Sequence, residues 1–245
     1  MTLAPSLTEI VFALGAGNEV VGVSDYSDYP PEAQRLPRVG GLEVSAEKVA
    51  SLSPDLVLAT PEGNAKGPVM ALMAAGVPVL VVPGGSLDGV LDGIRSVAER
   101  LGRRQEGERL LESLMKRRQA ARRVGASHPP RPAILLVWPD PAQAAGGGTF
   151  ANDVLTESGA RNLLADRPGW PVVSPEWLST APIEVLVIPD SPATRSAYAE
   201  AFAAGALSHG TAARARVIRI DESELTRPGP RVFDALEQLA RELSG

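Results

Sequence analysis

One half of this chain partly restates the other, and that narrows the folds open to it. Ser45-Ala-Glu47-Lys-Val49-Ala-Ser51 returns as Ser174-Pro-Glu176-Trp-Leu178-Ser-Thr180. Each copy leads through a carboxylate into an apolar stretch, Asp55-Leu-Val-Leu-Ala59 in one and Glu184-Val-Leu-Val-Ile188 in the other. The spacing is constant: 45 to 174, 47 to 176 and 55 to 184 are each separated by 129. Arg38-Val-Gly40 and Arg167-Pro-Gly169 keep the same spacing. Farther upstream, Gly15-Ala16-Gly-Asn18 pairs with Gly159-Ala160-Arg-Asn162 at a spacing of 144. The first copy therefore holds 15 more residues (144 less 129), among them Asp25-Tyr-Ser-Asp-Tyr-Pro-Pro31. Two copies are too few for a solenoid. The arrangement they predict is two similar lobes facing one another with a ligand cleft between them.

The strands read as continuous apolar runs rather than alternating ones: Val20–Val23, Asp55–Ala59, Val77–Val82, Ala133–Val137, Val185–Ile188 and Val217–Ile220. Helical patterns separate them. One is capped by Ser6 and ends at Leu14, another is capped by Ser45 and runs through Leu52, and a third spans Pro68 to Gly76. Ala151–Ser158, Thr194–Ala204 and Pro230–Leu243 supply three more. Continuous apolar strands between helices mean a parallel sheet covered on both faces. In the middle, Val90, Ile94, Val97, Ala98 and Leu101 share one helical face. The charged helix Gln105–Val124 that follows would reach about 30 Å, the diameter of a small domain. It contains no flexible Gly/Ser linker, so it is expected to be a stiff strut. The predicted class is α/β: two Rossmann-like lobes with parallel sheets, joined by one long rigid helix. The expected boundaries are 1–88 for the first lobe, 89–130 for the helical segment and 131–245 for the second lobe.

Composition removes several functions. A net charge of −5 argues against broad nucleic-acid binding, which needs a basic face. The basic run Lys116-Arg-Arg118 with Arg122-Arg123 is read as a solvated helix face near a helix C-terminus. No apolar run approaches the roughly 20 residues that cross a bilayer. Without cysteine there is no disulfide, thiolate nucleophile or Cys-based metal site. The two histidines, His128 and His209, stand far apart beside turn residues, so no histidine-rich metal site is expected. The opening Met1-Thr-Leu-Ala-Pro5 is strand-like and about to enter a helix, with no secretory signal; either the protein is cytoplasmic or its leader and first strand residues have been trimmed, and the abrupt start favours trimming.

Gly146-Gly-Gly148-Thr149 lies between a strand and a helix, where a phosphate cradle would sit, but lacks the Gly-Lys-[Ser/Thr] ending of a P-loop. It is read as a permissive loop lining the cleft. No Gly-x-Ser-x-Gly elbow appears, and nothing singles out an acid and a base, so no catalytic residue is assigned. Aromatic residues make up only 4%, which gives their placement weight. Tyr26, Tyr29, Trp138 and Trp170 fall in loops at lobe edges rather than in periodic core segments. Ligand contact and structural plugging are equally open for any one of them; large rigid rings in a cleft would suit a bulky, partly apolar ligand. Glu47 and Glu176 stand in the first turn of equivalent helices. Either complements a helix dipole, and together they also form a two-pronged surface for a partner bearing paired arginines.

Those residues resemble a known family. Leu3-Ala-Pro-Ser-Leu-Thr-Glu-Ile-Val-Phe-Ala-Leu-Gly-Ala-Gly17, Val21-Gly-Val-Ser-Asp-Tyr-Ser-Asp-Tyr-Pro-Pro31, Leu36-Pro-Arg-Val-Gly-Gly41 and Leu52-Ser-Pro-Asp-Leu-Val-Leu58 are similar to the substrate-binding proteins of cobalamin, haem and siderophore ABC importers. Gly148-Thr-Phe150, Gly159-Ala-Arg-Asn162, Trp170-Pro-Val-Val-Ser174 and Leu225-Thr-Arg-Pro-Gly-Pro-Arg231 agree in order through the second half. The Asp-Tyr-Ser-Asp-Tyr-Pro-Pro loop and the Trp-Pro segment most resemble the cobalamin-binding branch. The resemblance implies an extracytoplasmic, periplasmic or membrane-associated, monomeric binding protein, not an enzyme. It implies no resident cofactor, and a corrinoid or other metal chelate as transported ligand. It places Tyr26 and Trp170 against the corrin; Trp138 joins the candidate ligand set as an aromatic at a lobe edge, and Arg227 as a polar contact by position only. Gly41 and Thr60 stand where the cobalamin proteins place further aromatics. Glu47 and Glu176 correspond to the glutamates that dock the permease. Haem or a ferric siderophore is the alternative ligand, Tyr26 being able to serve haem. An enzyme on the same fold and a cytoplasmic metal-chelate sensor are the rival readings.

Overall fold

The computed structural model describes residues 1–203, 207 and 209–245. It divides into two compact units, Met1–Leu114 with Pro228–Pro230, and Met115–Arg227 with Arg231–Gly245.

In the first unit the chain enters helix α1 (Pro5–Ala13) at once. Ser6 does not cap it. Pro5 opens the helix, where its fixed φ and missing N–H cost nothing, and Ser6 is buried in the first turn. Then follow α2 (Ala46–Ser51), strand β1 (Val57–Ala59), α3 (Lys66–Ala74), β2 (Val79–Val81), α4 (Leu87–Arg100) and α5 (Arg104–Gly125), which crosses the division between the units. Thr2 bridges both Val23 and Leu58 in parallel, Val23 bridges Arg38, and β1 pairs with β2 in parallel. Across the sheet the order is thus 38, 23, 2, 58, 80. The expected strand Val20–Val23 contracts to its last residue, because Gly17–Glu19 turns as a 3-10 helix just ahead of it. The expected strand Val77–Val82 contracts to β2, which is only half buried because its one strand partner among the described residues is β1.

The second unit repeats that winding. β3 (Arg131–Pro139) is followed by β4 (Ala142–Ala144), α6 (Phe150–Glu157), β5 (Ala160–Asn162), α7 (Pro175–Thr180), β6 (Val185–Asp190), α8 (Pro192–Ala203), β7 (Arg216–Asp221), α9 (Glu222–Thr226) and α10 (Val232–Ser244). β5 and β6 flank β3 in parallel and β7 lies parallel beyond β6, while β4 turns back antiparallel on the far end of β3. The last residue of the expected helix Thr194–Ala204 lies outside the described residues. Val185–Pro189 of β6 is buried without interruption, as a central parallel strand requires.

The repeat is structural. Shifted by 129, α2 falls on α7 residue for residue, and β1 falls inside β6. Shifted by 144, α1 falls on α6, and both helices end on a glycine with positive φ, Gly15 at 73° and Gly159 at 95°.

The helical segment expected at 89–130 is no body of its own. α4 buries Leu87, Val90, Ile94 and Val97 and packs on α1 within the first unit. The later part of α5 is fastened inside the second unit. Arg117 pairs with Asp234 and Glu237 of α10; Glu237 and then Asp234 hold the guanidinium pKa up, and the Arg117 guanidinium in turn holds that of Glu237 down. Arg118 forks onto Glu157 of α6 at 2.8 and 2.6 Å, with both side chains mostly buried. Two of the arginines read as a solvated face are therefore internal ties. Their carboxylate partners lie 39 to 120 residues away, too far for a local reading to reveal.

Candidate functional site

In the first unit the 15-residue excess forms a tightly anchored loop. Thr2, Thr8, Ser27 and Ser24 form a chain of buried hydroxyls at 2.7–2.8 Å. The Arg38 guanidinium donates to the carbonyls of Ser24 and Ser27 at 2.8 and 2.7 Å. Asp25 and Gly40 exchange two bonds: the Asp25 N–H to the Gly40 carbonyl at 2.9 Å, and the Gly40 N–H to the Asp25 carboxylate at 3.2 Å. Tyr26, between these anchors, is 63% exposed, and its ring lies over the backbone of Gly41. The structure therefore brings two of the expected site residues, Tyr26 and Gly41, into contact.

Thr60 takes a different place. It is buried, its hydroxyl donates to Glu62 and its N–H to the Asn64 side chain at 2.9 Å. Glu62 in turn accepts the Gly84 N–H at 3.1 Å, and Asn64 donates to the Leu3 carbonyl at 2.8 Å. Thr60 fastens the loop after β1 and presents no exposed surface of any size.

In the second unit the triple glycine does chain-to-chain work. The Gly146 and Gly147 N–H groups donate to the carbonyls of Gly169 and Arg167, each at 2.8 Å, and Gly147 accepts from the Gly169 N–H at 2.9 Å. A β-carbon on Gly146 or Gly147 would come within 2.0 or 2.2 Å of a backbone oxygen, so only glycine allows this approach. The N–H groups of Gly146 and Gly147 are thereby taken by backbone carbonyls. Thr149 caps α6 by accepting the Asn152 N–H at 3.1 Å. The zipped segment delivers Trp170, 36% exposed, edge-on against Phe150 with ring centroids 5.9 Å apart.

Trp138, expected in a loop after the strand, lies instead within β3, which runs on to Pro139 by pairing with β4; it and the Trp170 segment lie on opposite sides of β4. Trp138 pairs with Gln143, and Gln143 bridges Val172. Directly opposed residues share a sheet face, so Trp138, Gln143 and Val172 form one row. Trp138 is 42% and Val172 60% exposed, and the indole N–H of Trp138 is held by the Asp140 carbonyl at 2.9 Å. Arg227 is half-buried just beyond α9. Sequence reasoning missed Arg38, Phe150, Gln143 and Val172. Arg38 carried a signal in its place in the repeat opposite Arg167, and Phe150 and Val172 stood inside the Gly148-Thr-Phe150 and Trp170-Pro-Val-Val-Ser174 motifs.

Glu47 and Glu176 are exposed second residues of α2 and α7, behind caps in which Ser45 and Ser174 accept the N–H of Lys48 at 3.3 Å and of Trp177 at 3.2 Å. Its own N–H, and then the Ser174 hydroxyl, hold the Glu176 carboxyl below its ordinary range. The surroundings differ: Lys48 follows Glu47, whereas Trp177 follows Glu176 and carries the Arg167 guanidinium 5.6 Å from its ring centroid.

A family model described as periplasmic binding protein matches residues 1–224. The chain belongs to that family. The vitamin B12-binding protein of Photorhabdus laumondii is 30% identical over 100% of this chain and 87% of its own length. An uncharacterized ABC transporter substrate-binding lipoprotein of Bacillus subtilis is 31% identical over 99% of this chain and 79% of its own. Among solved structures, the periplasmic heme-binding protein of Roseiflexus sp. RS-1, in apo form, superposes with a TM-score of 0.86 at 33% identity, covering 98% of this chain and 95% of that one. The α/β fold described above is the one this chain has in common with that solved heme-binding protein.

Proposed function

We propose that this member of the periplasmic binding protein family is the substrate-binding component of an ABC importer and that its ligand is a corrinoid. It acts outside the cytoplasm, as a monomer, and hands its ligand to the permease unchanged, with no resident cofactor and no catalytic step. The observation that carries this reading is the set of exposed rings on anchored backbone: Tyr26 in a loop of the first unit, and in the second Trp138 near the end of β3 and Trp170 in a loop. Flat aromatic and aliphatic surface suits a broad macrocycle. The full-length match to a vitamin B12-binding protein supports the same ligand. Gly41 serves the site through Tyr26, Thr60 through the loop it fastens, and Arg227 as a polar contact. Glu47 and Glu176 dock the permease.

Haem is the second reading. It is favoured by the heme-binding neighbour and by the exposure of Tyr26, whose phenol could reach a metal centre. Titration of purified protein with cyanocobalamin, haemin and a ferric catecholate, followed by tryptophan quenching, separates the readings, because Trp138 and Trp170 are both partly exposed. Saturable quenching by cyanocobalamin at substoichiometric to equimolar ratios is the expected result. Quenching by haemin alone, with a Soret shift, replaces the corrinoid.

A further inference from the structure

Tyr26 combines an exposed ring with a fully anchored backbone. The carbonyl two residues before it and the carbonyl just after it both accept from Arg38, at 2.8 and 2.7 Å. The hydroxyls of Ser24 and Ser27, on either side, run into the buried chain through Thr8 to Thr2. Below the ring lies Gly41. A β-carbon there would stand 2.7 Å from the ring Cε2, closer than such atoms come, and a tight 3.3 Å from Cζ. Gly41, unlike its neighbour Gly40 at φ 117°, does not occupy the left-handed region, so backbone conformation does not call for glycine at this position. The ring does.

We propose that Arg38 and Gly41 are positioning residues for Tyr26, fixing the ring in the unliganded protein in the place where it meets ligand. The inference rests on the reading that Tyr26 touches the ligand. Arg38 sets the position of the loop that carries the ring, and Gly41 sets the depth and tilt of the ring by leaving its side-chain space empty. A ring already fixed loses little freedom on binding, so the benefit appears in affinity rather than in new contacts.

Two arms test this. In the first, Gly41→Ala and Arg38→Met are made alone and combined with Tyr26→Ala, and cyanocobalamin affinity is measured by calorimetry on variants whose melting curves are cooperative. Each single change is expected to weaken binding by about tenfold, yet to add almost nothing in the Tyr26→Ala background, since residues acting through one group are not additive. A general structural role would weaken both backgrounds equally, and that result overturns the inference. The second arm needs no ligand. In protein labelled with 3-fluorotyrosine, the Tyr26 fluorine resonance, assigned with Tyr26→Phe, is expected to shift and narrow in both variants. The resonance of Tyr198, buried with its hydroxyl donating to the Leu136 carbonyl, should stay put. An unmoved Tyr26 resonance in Gly41→Ala refutes the seat. If the wild-type protein binds neither cyanocobalamin nor haemin, the ligand reading fails, and the seat is decided by the fluorine arm alone.

Discussion

Replacing Trp170 with alanine is the sharpest probe of the ligand surface. A tryptophan offers about 250 Å² of side-chain surface, and 36% of Trp170 is exposed, leaving roughly 90 Å² for a ligand to cover. At about 25 cal/mol per Å², that contact contributes about 2 kcal/mol, inside the range of about 1–3 kcal/mol usual for losing an aromatic anchor. The dissociation constant for cyanocobalamin should therefore rise by roughly 30-fold. The same substitution strips the edge-on contact with Phe150 and leaves the buried part of the site empty, so the protein itself should lose about 3 kcal/mol of stability. Calorimetric titration at a temperature well below the melting transition separates the two effects. Trp170→Phe should recover most of the stability and part of the affinity. A dissociation constant within about twofold of wild type for Trp170→Ala, in a sample shown to be folded, would remove Trp170 from the site.

The other predictions concern the frame around that surface. Gly146→Ala places a methyl 2.0 Å from the Arg167 carbonyl; it should part the zipped segments and cost about 2–3 kcal/mol by urea unfolding, and a neutral result would mean the loops separate freely. Changing both Glu47 and Glu176 to Lys should leave cyanocobalamin affinity intact but abolish uptake in reconstituted vesicles; normal uptake would reduce both to helix-cap residues. The Glu237 carboxyl is held below its ordinary value by its bond to Arg117. A lowered folded-state pKa gives stability that is present above the unfolded value and lost on acidification. The melting temperature of the wild type should thus fall as pH drops below the ordinary glutamate value of about 4.5, and Glu237→Gln should flatten that fall. An unaltered pH profile in Glu237→Gln would show that the pair does not couple to folding.

The winding of the two units was legible in the sequence because short-range chemistry repeats there. Ser45 and Ser174 cap the same helix twice, the glycines after α1 and α6 end helices in the same left-handed way, and apolar runs mark β1 and β6. Capping, helix termination and strand burial each depend on a few adjacent residues, so a pattern in one dimension reports them. The aromatic candidates were legible for the opposite reason: Tyr26, Trp138 and Trp170 did not fit any core period. Tertiary structure alone decided what each position does. Thr60 was drawn inside by Glu62 and Asn64; Arg117 and Arg118 left the solvated face for carboxylates far along the chain; Gly146 and Gly147 gave their N–H groups to Gly169 and Arg167. Gly41 and Tyr26 are 15 residues apart in sequence and in contact in space. Hydrogen-bond partners and close approaches of this kind are set by which segments the sheet order brings together, and no local pattern encodes that order.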